Sequence, residues 1–86
     1  MKKNNKALGH AGIAASITAS LDLYLQHLDG EPAHNLYELV IGTVEKALIT
    51  DVLARTGNNQ SEAAQMLGIN RNTLRAKIDK HAIKVR

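Results

Sequence analysis

Apolar residues recur along this chain at helical spacing in two long segments and one short one. Ile13, Ile17, Leu21, Tyr24 and Leu28 stand four, four, three and four residues apart, which lines one stripe of a helix over residues 13–29. Gly30 ends that helix, and residues 31–34 read as a loop. Asn35, with Glu38 three residues on, has the pattern of a capping box and opens a second helix running to about Thr56. Gly57 follows at the position that tolerates positive φ. At about 100° per residue, Leu36, Tyr37, Val40, Ile41, Val44, Ala47, Leu48 and Val52 cover an arc of about 160°. Asp51 interrupts it, and Leu39, Ile49 and Leu53 lie outside. A helix this apolar needs partners on more than one side. A small monomer cannot supply them, and a second copy can.

The last third changes style. Residues 60–67 read as a short helix capped by Asn59, again with an acid, Glu62, three residues on. Gly68 breaks it and Ile69 sits in the turn. Asn70 caps a final helix over 71–81, whose inner contacts are Leu74 and Ile78. Residues 82–86 are too short to assign. All predicted elements are helices with short connections, so the fold class is all-α.

Composition sharpens this picture. The chain has 86 residues, two tyrosines, no Phe, no Trp and no Cys. Its core must therefore come from Leu, Ile, Val and Ala, with no disulfide staple and no thiolate metal site. Chains of this size have marginal cores and often gain stability by association. Ile17, Leu21, Tyr24, Leu36, Val40, Val44, Leu48 and Val52 are the expected homodimer interface. No apolar run approaches 18 residues, and residues 1–12 lack a signal-peptide core. That predicts a cytoplasmic protein without membrane association, in which residues 1–12 form a flexible basic tail. Met1 suggests a free-standing chain.

Charge is unevenly spread. Residues 1–12 carry three lysines and no acid, residues 13–54 six acids against one lysine, and residues 55–86 seven basic residues against two acids. The segments hold +3, −5 and +5. A basic end on a small folded module suits a polyanion.

Two short helices around a Gly-containing turn, the second rich in Arg, Lys, Asn and Thr, read as a helix-turn-helix. Ala63 and Ala64 allow close helix packing, and Leu67, Ile69, Leu74 and Ile78 form an apolar hinge. The outer face of the last helix carries Asn72, Thr73, Arg75, Ala76, Asp79 and Lys80, flanked by Arg71 and Lys77. Arg binds guanine bidentately, Asn reads adenine, and Thr meets a thymine methyl or a phosphate. Asn59 and Ser61 stand where a helix N-terminus receives phosphate. Catalysis finds no such support: the four histidines are scattered, and neither a nucleophile–base spacing nor a phosphate-binding loop is present. No enzyme activity, cofactor, metal or small-molecule ligand is expected.

The stretch GNNQSEAAQMLGINRNTLRAKI, with LYELVIGTVEKALITDVLARTGNN overlapping its start, resembles the Fis family of nucleoid-associated DNA-binding proteins. It also resembles the Fis-type C-terminal domains of NtrC-like activators. The resemblance spans about residues 13–81. It implies a four-helix protomer whose first two helices (13–57) intertwine with a second copy, and whose residues 58–86 form the DNA-binding unit. It implies two recognition helices closer together than one turn of straight B-DNA, so that the DNA bends and is read partly by shape. Carried over by position, the DNA-contacting residues are Asn59, Ser61, Asn70, Arg71, Thr73, Arg75 and Lys77, and Lys80 is added from the basic face. Arg71 looks like the main base reader, with Asn70 near base edges. Asn59, Ser61 and Thr73 look like phosphate contacts, and Arg75 and Lys77 like backbone or flank contacts. The expected role is nucleoid organisation and transcription regulation in a bacterial cytoplasm, with RNA polymerase a further candidate partner.

The chain also departs from the family pattern. Enteric members carry basic residues where Glu62, Ala76 and Asp79 stand, which predicts weaker or more salt-sensitive DNA binding. The β-hairpin arm that contacts invertases has no counterpart in residues 1–12. The alternative function is a helical protein–protein adaptor that no longer binds DNA. A third reading is a stand-alone relative of the NtrC-type domain acting at dedicated operators.

Overall fold

The computed structural model describes residues 7–85, and every regular element among them is helical. The structure divides into two units at the junction of His34 and Asn35. The first unit holds a π-helical turn, Ala7–Ala11, and helix α1, Gly12–His27. The second holds α2 (Leu36–Arg55), α3 (Gln60–Leu67) and α4 (Arg71–Lys80). The all-α class and the four α-helices agree with the periodicity of the sequence. Of the expected tail, residues 1–6 lie outside the described residues, while 7–11 form the π-helical turn. Gly9 (ψ −118°) kinks it.

In the first unit α1 has no buried residue. Ile17, Leu21 and Leu28 are half-buried, whereas Ile13, Tyr24, Leu23 and Leu25 are exposed. Helix α1 ends at His27, whose ring Nδ1 donates to the Leu23 carbonyl at 2.7 Å. Asp29 (φ 53°) and Gly30 (φ 89°) then turn the chain out of the helix.

The second unit has its own core. Ile49, Val52 and Leu53 of α2 meet Ala63 and Ala64 of α3 and Leu74 and Ile78 of α4, and all seven are buried. Leu67, Ile69, Ile83 and Val85 pack against this cluster. The terminal segment left unassigned from the sequence therefore has a place. Ala82 (φ 52°) reverses the chain, the Ile83 amide donates to the Ile78 carbonyl at 3.0 Å, and Ile83 and Val85 reach the core.

Helix α2 is thus apolar on two faces. Ile49 and Leu53, outside the predicted arc, are its inward residues. The arc itself faces outward: Tyr37 is 74% and Leu48 50% exposed, and Ile41 and Val44 are exposed too. Leu36 and Val40 are half-buried, and Val52 departs furthest. It is only 5% exposed and belongs to the core, so it is not available on the outer stripe. Arc membership could not separate the faces, because Val52 sits where the arc borders the inward side.

Asn35 does not cap α2 with its side chain, contrary to the sequence pattern. It lies in the left-handed region (φ 54°), and its carbonyl accepts from the Leu39 amide at 3.0 Å. Side-chain capping needs extended φ/ψ at that residue, and the loop's entry angle denies it. At the other end the expected turn is present. Gly57 (φ 62°) and Asn58 (φ 67°) are both left-handed, and their amides donate to the Ala54 and Leu53 carbonyls, the paired bonds of a Schellman stop.

Candidate nucleic-acid interface

Helices α3 and α4 are fixed by short-range chemistry. The Asn59 side chain accepts from the Glu62 amide at 3.0 Å, and the Asn70 side chain from the Asn72 amide at 2.7 Å. Both asparagines are extended, as caps require. The reciprocal half of the first capping box is absent, because the Asn59 amide donates to the Thr56 carbonyl instead. Between the helices Gly68 (φ 76°) takes the left-handed conformation, and its amide closes on Ala64 and Gln65. A side chain there would be strained whatever the space around it. Ala63 and Ala64, both buried, put α3 directly against the core.

This frame leaves the outer face of α4 open. Asn70, Arg71, Thr73, Arg75 and Lys80 are exposed, as are Asn59 and Ser61 at the start of α3. Among the described residues no carboxylate pairs with Arg71, Arg75 or Lys80. Arg71 and Arg75, four apart, share one flank of α4. Asp79 and Ala76 are exposed on the same helix, so the face is basic but diluted.

Lys77 behaves differently from its predicted companions. Its ammonium donates to Glu45 Oε2 at 2.7 Å, across to α2, and its side chain is only 32% exposed. The other carboxylate oxygen, Oε1, accepts from His81 Nε2 at 2.8 Å. Glu45 and His81 are 23% and 10% exposed, so the cluster is partly shielded from water. The hydrogen bond from Lys77, then that from His81, with the charges of Lys77 and Lys80, lowers the Glu45 pKa from 4.5 to about 2. Lys77 therefore joins α4 to α2, while the other basic side chains of α4 project freely. Sequence reading missed Glu45 and His81, because partners 32 and 36 residues apart leave no local signal. The placement of Glu45 one turn before Ile49, on the inward face of α2, is the only hint the sequence carried.

Among the described residues no group of His, Cys, Asp or Glu could hold a metal ion, and no helix is long and apolar enough to cross a membrane.

Two short helices at a left-handed glycine turn, packed on a longer helix with one basic face open, define a helix-turn-helix protein. The family described as "Bacterial regulatory protein, Fis family" matches residues 41–81, from the second turn of α2 to the residue after α4. A Fis-like DNA-binding protein of Ralstonia nicotianae is 46% identical over 71 residues, 83% of this chain and 92% of its own length. The DNA-binding protein Fis of Aliivibrio fischeri is 46% identical over 68 residues, 79% of this chain and 69% of its own. That of Vibrio cholerae matches over the same shares. This chain belongs to the Fis family.

Proposed function

We propose that the chain is a homodimeric DNA-binding and DNA-bending protein acting in nucleoid organisation and transcription regulation, at degenerate sites read partly by shape. One observation carries the reading: an exposed α4 face with unpaired Arg71 and Arg75, beside two asparagine-capped helix starts. Guanidinium groups without a protein partner are free to take guanine edges or phosphates. Asn59, Ser61 and Thr73 fit phosphates, Asn70 and Arg71 base edges, and Arg75 and Lys80 the flanks. The relatives named as DNA-binding proteins support the same chemistry. The outward stripe of α2 (half-buried Leu36 and Val40, exposed Val44 and Leu48) and the apolar side chains of α1 (Ile17, Leu21, Tyr24) are what a second copy covers. In this reading residues 13–57 dimerise and 58–86 bind DNA, in the cytoplasm on the nucleoid. RNA polymerase is a candidate partner.

The test is a fluorescence-anisotropy titration on a duplex of about 27 base pairs, with G and C one half-site apart around an A/T-rich centre, over a salt series. A second duplex carries a G/C-rich centre. Affinity should fall linearly in log–log form, by about 0.9 for each phosphate neutralised, and the A/T centre should bind more tightly. A flat salt response would favour a protein–protein adaptor. Arg71→Ala should cost about 1–3 kcal/mol of binding.

A further inference from the structure

The geometry points to Glu45 as a positioning residue for DNA recognition, one that holds Lys77 against α2 and so keeps that lysine off the DNA phosphates. The inference rests on the reading of α4 as the recognition helix.

Lys77 lies on the flank of α4, about 80° around the helix from the line of buried Leu74 and Ile78. From there its side chain reaches α2, and Glu45 Oε2 receives it at 2.7 Å. Glu45 is doubly engaged, since His81 holds its other oxygen at 2.8 Å. Both neighbours favour its charged form, so the carboxylate is an anion throughout the working pH range. Moving Lys77 to a phosphate would break a charge-assisted hydrogen bond in a partly shielded site. It would also leave Glu45 facing His81 alone, with a DNA phosphate drawn toward an anion. Lys80 and the two arginines of α4 carry no such penalty. Glu45 therefore sets how many cations α4 offers. It also ties the C-terminal half of α4 to α2, since Lys77 and His81 bracket the end of that helix.

The test uses the full chain on the A/T-centred duplex, in the same salt series, with Lys77→Gln, Glu45→Gln and the double substitution. Lys77→Gln should leave the salt slope unchanged, since that lysine neutralises no phosphate. Glu45→Gln frees Lys77 and should steepen the slope by about 0.9 for each new phosphate contact, or about 1.8 for two protomers. The double substitution should restore the original slope. A role limited to folding would move the melting temperature and leave these slopes alone. A shallower slope in Lys77→Gln, or an unchanged slope in a folded Glu45→Gln, would overturn the inference and leave DNA binding standing. Should Glu45→Gln not fold, the Lys77→Gln slope decides alone. Absence of binding by the unsubstituted protein would overturn this inference and the proposed function together.

Discussion

At the scale of single residues, the most consequential side chain is one that local pattern treats as ordinary. Glu45 reads in the sequence as one of six acids in an acidic middle segment. In the folded unit it holds Lys77 and His81 at once. Its carboxyl falls from 4.5 to about 2 on folding, so the unfolded chain binds this proton more readily. The stabilisation is thus complete above about pH 4.5 and disappears as pH falls toward about 2. Thermal melting followed by circular dichroism should show this loss across that window, and Glu45→Gln should remove that part of the pH dependence. Residue type and motif position picked out Asn59, Ser61, Asn70, Arg71, Thr73, Arg75 and Lys80 as surface residues, and all seven are exposed. Lys77 was legible as a cation, but its partner was not, because that partner is set by packing between α2 and α4.

At the scale of elements, boundaries were legible wherever one residue decides them. Asn59, Gly68 and Asn70 act locally, and each adopts the conformation that its type predicts. Asn35 shows the limit: the same residue type with the same acid three positions on sits left-handed and makes no side-chain cap. The two asparagines should therefore respond differently to substitution. Asn59→Ala should destabilise the second unit by about 1 kcal/mol, the usual cost of a lost N-cap. Asn35→Gly should retain full stability or exceed it, since glycine accepts positive φ without strain. Urea denaturation of the two variants beside the parent checks both. The inward face of α2 was not legible either. Ile49 and Leu53 lie off the predicted arc, and periodicity cannot say which of two apolar faces meets the chain's own helices. The pair Ile83 and Val85 did leave a signal, an alternation of apolar and charged residues, but four residues were too few to read.

For the whole molecule, the inward face of α2 builds the core, and the outward face is the one that associates under the proposed function. Leu48 is half exposed and outside the core, so a charge there should leave the second unit folded. Under the proposed function, Leu48→Lys should nonetheless shift the sedimentation coefficient toward that of a single chain. DNA affinity should then drop steeply, because two half-sites would no longer be bound by one particle. Retention of the two-chain mass in Leu48→Lys would place the interface elsewhere. The acidic middle and basic end belong to this scale too. The charge separation was plain in the sequence, and it puts attraction for phosphate in the segment that holds α4.

The core of the second unit closes entirely with residues of one chain, from Ile49 to Ile78. Under the proposed function, partner exchange therefore need not dismantle the helix-turn-helix. If the chain pairs as proposed, a protomer that leaves one pair and joins another would carry its helix-turn-helix intact, and two copies with different α4 faces would combine in a single particle. Such mixed pairs would address asymmetric sites without any new fold, and their abundance would follow simple mass action between the chains present.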